Sequence, residues 1–214
     1  MKHIEHLSKD KKLKKVIELQ QPHVLRKEKN VGLQLCYSIM SQQLSTKVAR
    51  VFHKRFLDLY GGVDPKMEMI ADTAFETLRG IGLSNAKANY VLNVSRFFID
   101  ENITDAKLHS MSNEEVIEYL TKIKGVGKWT VEMILMFTLA REDVFAVDDL
   151  GIQQAFCKLY KVSAEDKKLM KEKMLSHSKK WSPYRTYACR YLWNWKDNSP
   201  QAKPKPSAKK RSSQ

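Results

Sequence analysis

Backbone breakers are scarce in this chain. Its 214 residues hold only eight glycines and six prolines, roughly half the combined share usual in soluble proteins. A sandwich or barrel needs many tight turns, so the scarcity argues against both and for long helices. Cysteine is equally sparse. Cys36, Cys157 and Cys189 lie far apart in no metal-binding spacing, which reads as reduced thiols in an intracellular protein. No apolar run approaches the roughly 20 residues of a membrane span, and the start, MKHIEHLSKDKKLKKV, lacks the apolar stretch of a signal peptide. No internal repeat appears, which argues against a solenoid.

What is abundant is positive charge. There are 38 Lys and Arg against 24 Asp and Glu, a formal net charge of +14. Hydrophobic residues make up 43%, enough for a real core, so a wholly disordered basic protein is excluded. Residues 196–214 (KDNSPQAKPKPSAKKRSSQ) carry six Lys/Arg, one Asp and no aliphatic residue larger than Ala, and read as a disordered basic tail. A second cluster, Lys9 to Lys15, falls on the expected first helix. Either run alone could be a solvated face. The surplus left on the folded body points instead to a polyanionic partner, nucleic acid before all others.

Periodicity predicts an all-α fold of about nine or ten helices with short connections. Val48, Val51, Phe52 and Leu59 share helical spacing, with Gly61-Gly62 as the stop. A helix runs through Phe75–Leu78 to Gly80. Ser84 looks like the N-cap of a helix carrying Ala88, Val91, Leu92, Ser95 and Phe98. Ser112-Asn113-Glu114-Glu115 matches a capping box, with Val116, Ile117, Leu120 and Ile123 inside. Residues 128–140 are apolar almost all round, as in a helix buried on most sides. Asp148 or Asp149 opens the next helix, through Leu159. Ser163-Ala164-Glu165-Asp166 has a related cap pattern, and Ser182-Pro183 gives an N-cap with Pro at the first helical position.

The most informative stretch is residues 120–156. Gly125-Val126-Gly127 forms a turn between two helices, leaving backbone N–H groups uncovered at the N-terminus of the second. Such amides, with the helix dipole behind them, favour an anion such as a DNA phosphate, and Lys128 adds a charge there. Gly80-Ile81-Gly82, with Ser84 and Lys87, reads as a second backbone-contact loop on the same reasoning. A structural helix–turn–helix explains either turn taken singly.

Four stretches together resemble the helix-hairpin-helix (HhH-GPD) DNA glycosylase superfamily, in its alkylpurine, 3-methyladenine DNA glycosylase II branch: SIMSQQLSTKVA (38–49), LRGIGLSNAKANYV (78–91), IKGVGKWTVEMILMF (123–137) with VFAVDDLGIQQAF (144–156), and WSPYRTYACRYLW (181–193). The resemblance covers residues 31–195. It implies a two-lobed all-α fold: a six-helix lobe at 33–145, a second lobe from 1–32 plus 146–195, and an active-site cleft between them.

The resemblance also distributes roles. Alignment through Ile152 makes Asp149 the catalytic carboxylate; its neighbour Asp148 reads as the helix N-cap, one register step away. The chemistry suits a carboxylate on its own terms. Cleaving an N-glycosidic bond builds positive charge on the sugar, which a nearby anion stabilises while it orients water. Trp129 and Trp193 are implied as walls of the base pocket. A purine alkylated at N3 or N7 is cationic, gains about 0.5–2 kcal/mol between indole faces, and already leaves readily. Met133 stands where some members carry a pocket Tyr. Branches that also cut the backbone have a Lys at the position of Trp129; an indole cannot form a Schiff base, so a monofunctional enzyme without lyase activity is expected.

Base flipping leaves a gap in the stack, which the superfamily fills from the turn at residues 41–44. Gln43 is the expected wedge, with Gln42 the alternative. Related hairpins bind a sodium or potassium ion on carbonyls matching Thr121, Ile123 and Val126. The four-Cys cluster of the endonuclease III branch is missing, so no iron–sulfur cluster is expected. No cofactor is required, the partner is double-stranded DNA carrying damaged bases, no membrane is involved, and the enzyme is expected to be a monomer. The compartment would be a bacterial cytoplasm (nucleoid) or a nucleus. Other readings are a glycosylase for deaminated or oxidised bases, and a non-catalytic DNA-binding module. Against the latter stands Asp149, a carboxylate that would only repel phosphate. An RNA-binding protein is disfavoured, since no base-stacking module appears.

Overall fold

The computed structural model describes residues 1–198; the basic tail beyond Asn198 lies outside them. The described residues form thirteen α-helices, one 3-10 turn and no strand. In chain order they are α1 (Lys2–Leu7), α2 (Lys11–Ile17), α3 (Val31–Ser41), α4 (Thr46–Asp58), α5 (Met67–Ala71), α6 (Phe75–Gly80), α7 (Asn85–Asp100), α8 (Asp105–Ser110), α9 (Asn113–Leu120), α10 (Lys128–Phe137), α11 (Leu150–Tyr160), α12 (Lys167–Ser178), the 3-10 turn Lys179–Trp181, and α13 (Arg185–Asn198).

The count exceeds the expected nine or ten because short helices such as α5 and α8 span too few residues for an apolar period to register. Where local signals are strong, the elements follow them. Ser84 caps α7, which buries Ala88, Val91, Leu92, Ser95 and Phe98. The capping box at Ser112 and Glu115 is formed in full, with Ser112 Oγ accepting from the Glu115 amide and Glu115 accepting from the Ser112 amide.

Five expectations need correction. The α4 stripe is not its buried face: Val48 and Val51 are exposed, and Ala49 and Phe56 go inside. Helix α10 stops at Phe137, short of Ala140, which adopts a left-handed φ of 55°. The cap of α12 is Asp166, not Ser163; Asp166 Oδ1 accepts from the Leu169 amide. Ser182-Pro183 precedes α13 without capping it, the Ser182 hydroxyl donating instead to Asp143. Helix α13 itself runs to Asn198, so residues 196–198 are helical, not tail.

Helix packing falls into two groups. Helix α7 lies against α3, α5 and α6, and α10 against α3 and α9; in the second group α13 packs on α11 and α2, and α11 on α2 and α12. A single core joins the groups, including Leu35, Ile39, Val91 and Leu135 on one side and Leu13, Ile152, Phe156 and Leu192 on the other. Because the first turns of α10 and α11 come from different groups, residues at those turns meet at the junction.

One buried carboxylate fastens the second group. Asp10 caps α2 by accepting from the Lys12 and Leu13 amides. It also accepts from Tyr160 Oη (2.7 Å), pairs with His177 Nε2 (2.8 Å), and receives Trp181 Nε1–H (3.1 Å). Lys180 Nζ stands at 3.2 Å. Burial alone would push the carboxyl up and disfavour its charge, but the bonds from Tyr160, His177, Trp181 and the Leu13 amide outweigh that and hold it well below the usual carboxylate range. Such a group stabilises the fold fully above the unfolded value of about 4, and the benefit declines progressively as pH falls from there toward the much lower folded value. Asp10→Asn should cost roughly 2–4 kcal/mol at neutral pH. Denaturant titrations at pH 7 and pH 3 should show the gap to wild type closing in acid.

Candidate active site

Helix α11 begins at a carboxylate that does two jobs. Asp149 is its N-cap, with Oδ1 accepting the Ile152 amide at 2.8 Å. The same Oδ1 takes the Trp193 Nε1–H at 2.7 Å, and Oδ2 takes the Trp129 Nε1–H at 2.9 Å. Three donors from three elements fix its orientation. Asp148 is not the cap, as the sequence suggested; its carboxylate pairs with Lys171 of α12 at 2.6 Å. Cap geometry depends on a single residue step, which apolar periodicity does not resolve.

Around Asp149 lies a cavity of about 360 Å³, lined by Gln42, Gln43, Trp129, Asp148, Asp149 and Leu150. Trp129 is 38% exposed on the first turn of α10, so this helix is not buried on all sides. Trp193 of α13 is half-buried and lies near Phe137 at 5.7 Å between ring centroids. Met133 is half-buried against the core and is not among the residues lining the cavity.

Two residues here were not legible as site residues. Gly151 follows the cap: a Cβ there would stand 3.0 Å from Trp193 Cδ1 and 3.1 Å from Asp149 Oδ1, so the missing side chain admits the indole edge to the carboxylate. In residue order it is only a glycine in the first turn of a helix. The other is Glu132, 3% exposed on α10, whose Oε2 finds no partner. Lys128 Nζ stands 3.8 Å from its other oxygen. Burial, aided by the charges of Asp148 and Asp149 and opposed by Lys128, pushes the Glu132 carboxyl up to about 7. A single acid within an apolar run gave no sequence signal.

The hairpin between α9 and α10 turns at Gly125, whose φ is 104° and whose absent side chain leaves room for the Tyr90 ring of α7. Val126 is buried beneath the turn, while Gly127 and Lys128 are exposed. Gly127 caps α10 without a side-chain bond, so no side chain covers its first-turn amides. The second loop has exposed Gly80, Gly82 and Ser84, with Gly82 at φ 100°. Lys87 behaves differently from the expected outward contact: its Nζ donates to the carbonyls of Met40 (2.9 Å) and Gln42 (2.7 Å). In the turn after α3, Gln42 Nε2 donates to Thr130 Oγ1 at 3.2 Å, whereas Gln43 is exposed at φ 60°.

These elements define a class. Residues 36–180 match the family described as HhH-GPD superfamily base excision DNA repair protein, and the chain belongs to that family. Over 196 residues it is 35% identical to DNA-3-methyladenine glycosylase 1 of Schizosaccharomyces pombe, covering 91% of this chain and 85% of that one. Among solved structures, the S. pombe 3-methyladenine DNA glycosylase in complex with abasic DNA superposes with a TM-score of 0.82 at 33% identity, over 92% of this chain and 97% of that chain. A DNA-3-methyladenine glycosidase from Bacillus halodurans gives 0.78 at 35% identity, over 90% and 88%.

Glu132 yields a stability test. The folded state keeps a proton that an ordinary glutamate releases at 4.5, so its contribution declines from about pH 4.5 to 7 and then levels off. Glu132→Gln should gain on wild type across that window, by at most about 3 kcal/mol. Chemical denaturation at pH 5 and pH 8 measures the gain; an equal effect at both would contradict it.

Proposed function

We propose that this chain is a monofunctional DNA glycosylase that flips alkylated, cationic purines such as 3-methyladenine and 7-methylguanine out of duplex DNA. It hydrolyses their N-glycosidic bond in base excision repair and leaves an abasic site. The observation that carries the reading is the Asp149 carboxylate held at a cavity mouth by the two indoles of Trp129 and Trp193. Positive charge develops on the sugar as the base departs, and a fixed anion there lowers the barrier without rearranging. The exposed Trp129 indole lines that cavity and offers aromatic surface to a cationic base, while Trp193, not among the lining residues, holds the carboxylate. Asp149 also orients the attacking water. Trp129, in place of an amine, supports hydrolysis without strand cleavage.

The uncovered amides at Gly127 and Lys128, and the loop at Gly80, Gly82 and Ser84, are the proposed grips on the phosphate backbone. Gln43 is the favoured wedge, since Gln42 is tied to Thr130 while Gln43 is exposed. A sodium or potassium ion on the carbonyls of Thr121, Ile123 and Val126 is compatible with the turn. The Ile123 carbonyl accepts the Val126 amide at 3.0 Å and keeps a second lone pair. When bound, such an ion would supply positive charge toward a phosphate. No cofactor enters the reaction as proposed. Among the described residues no helix is long and apolar enough to cross a membrane, and the working compartment is the one that holds DNA, cytoplasm or nucleus according to the cell.

Incubation with DNA carrying N-methylated purines should release free 3-methyladenine or 7-methylguanine, with strands intact until alkali or heat is applied. Nicking by the pure enzyme would overturn the monofunctional reading. Asp149→Asn should cut release at least about 100-fold while keeping DNA affinity; the same loss in Asp148→Asn instead would move the role to its neighbour. Trp129→Ala should slow excision of 7-methylguanine more than that of neutral hypoxanthine, compared in single-turnover assays, and equal losses would remove the cation–π contribution.

A further inference from the structure

Helix α3 ends where the proposed wedge begins, and its last carbonyls have no partner within the helix. Their supply of donors is unusual. No lysine of α3 or its following turn provides them; the Lys87 ammonium reaches across from the first turn of α7 and donates to both Met40 O and Gln42 O. A cation at a helix C-terminus is favourable twice, through the hydrogen bonds and through the dipole. The side chain lies in a cleft of about 310 Å³ lined also by Gln43, Leu44, Phe52, Gly82 and Ser84, so it joins the wedge turn to the second glycine loop. Partial burial pulls its ionisation below the ordinary lysine value, because desolvation disfavours the charged form.

The neighbouring residues make the pinning consequential. Gln42 is held at its main chain by Lys87 and at its side chain by Thr130, itself only 2% exposed on α10. The next residue, Gln43, takes a left-handed φ of 60°, a conformation that a non-glycine residue keeps only when its surroundings hold it. We infer that Lys87 is a positioning residue for base flipping: its ammonium clamps the end of α3 so that Gln43 projects in a fixed direction, and it is not a phosphate contact. The inference rests on the glycosylase reading above and extends it to how the wedge is held.

The two roles for Lys87 separate by salt dependence. A lysine that neutralises a phosphate contributes about 0.9 to the slope of log affinity against log salt, so its removal should flatten that slope. A clamp that never meets DNA leaves the slope unchanged. The experiment compares wild type with Lys87→Met, and with Lys87→Gln if the methionine variant does not fold. It uses a duplex with one 7-methylguanine and a 2-aminopurine reporter beside it. Expected for the variant are a wild-type salt slope, affinity for undamaged duplex within about twofold, weaker 2-aminopurine fluorescence on binding, and single-turnover excision slowed at least about tenfold, since misplacing a reacting group by 1 Å costs up to about 100-fold. A slope reduced by about 0.9, with affinity lost equally on damaged and undamaged DNA, would overturn the inference in favour of a phosphate contact. Unchanged fluorescence and excision would overturn it too. A wild-type enzyme that releases no alkylated purine would bring down the glycosylase reading and this inference with it, whereas normal wild-type release with either contrary result removes only the role of Lys87.

Discussion

The site depends on one carboxylate with more donors than a cap needs. Asp149 receives the amide that starts α11 and the indole N–H groups of α10 and α13. Three helices from both packing groups therefore converge on two oxygen atoms. A helix cap normally serves one terminus; here it also sets the angle between two aromatic rings. On the proposed mechanism the reacting group and the structural group are the same atoms, so fold and site are coupled at that point.

Around this point polar contacts settle which neighbours are committed and which remain available. Asp148 is drawn off by Lys171, Gln42 by Thr130 and Lys87, and the Glu132 carboxyl sits buried with one oxygen unpaired. What remains toward the cavity is Asp149, Trp129, an exposed Gln43 and the apolar Leu150. Glu132 is a standing cost in this arrangement, since a buried acid without full partners weakens the fold once it ionises.

Much of this was legible in residue order because its signals are local. The capping box at Ser112, the cap at Ser84, and the two glycines around Val126 each act within four residues, and the helices and turn they predict are present. Trp129 and Asp149 were paired through a family pattern, and they meet at 2.9 Å. Features that failed to show depend on distant partners or a single step. Asp10 looks like an ordinary charge until Tyr160, His177 and Trp181 arrive from 150 residues or more downstream. Asp148 and Asp149 are equivalent by propensity, and only the turn geometry separates them. Residue order groups Lys87 with the second glycine loop as a backbone contact; the carbonyls it meets, Met40 in α3 and Gln42 in the turn after it, lie more than 40 residues earlier.

The Tyr90 ring occupies the space that a side chain on Gly125 would fill, and Asn93 of the same helix donates to the Lys124 carbonyl at 3.1 Å. Helix α7 thus carries the second glycine loop at its start and meets the hairpin at Tyr90 and Asn93, one to two turns further on. A ring seated in a gap and one side-chain hydrogen bond connect the helix that starts at one turn to the other turn. On the proposed reading of both turns as backbone grips, these contacts make the pair a caliper, and a strand laid across them would meet a spacing set by α7.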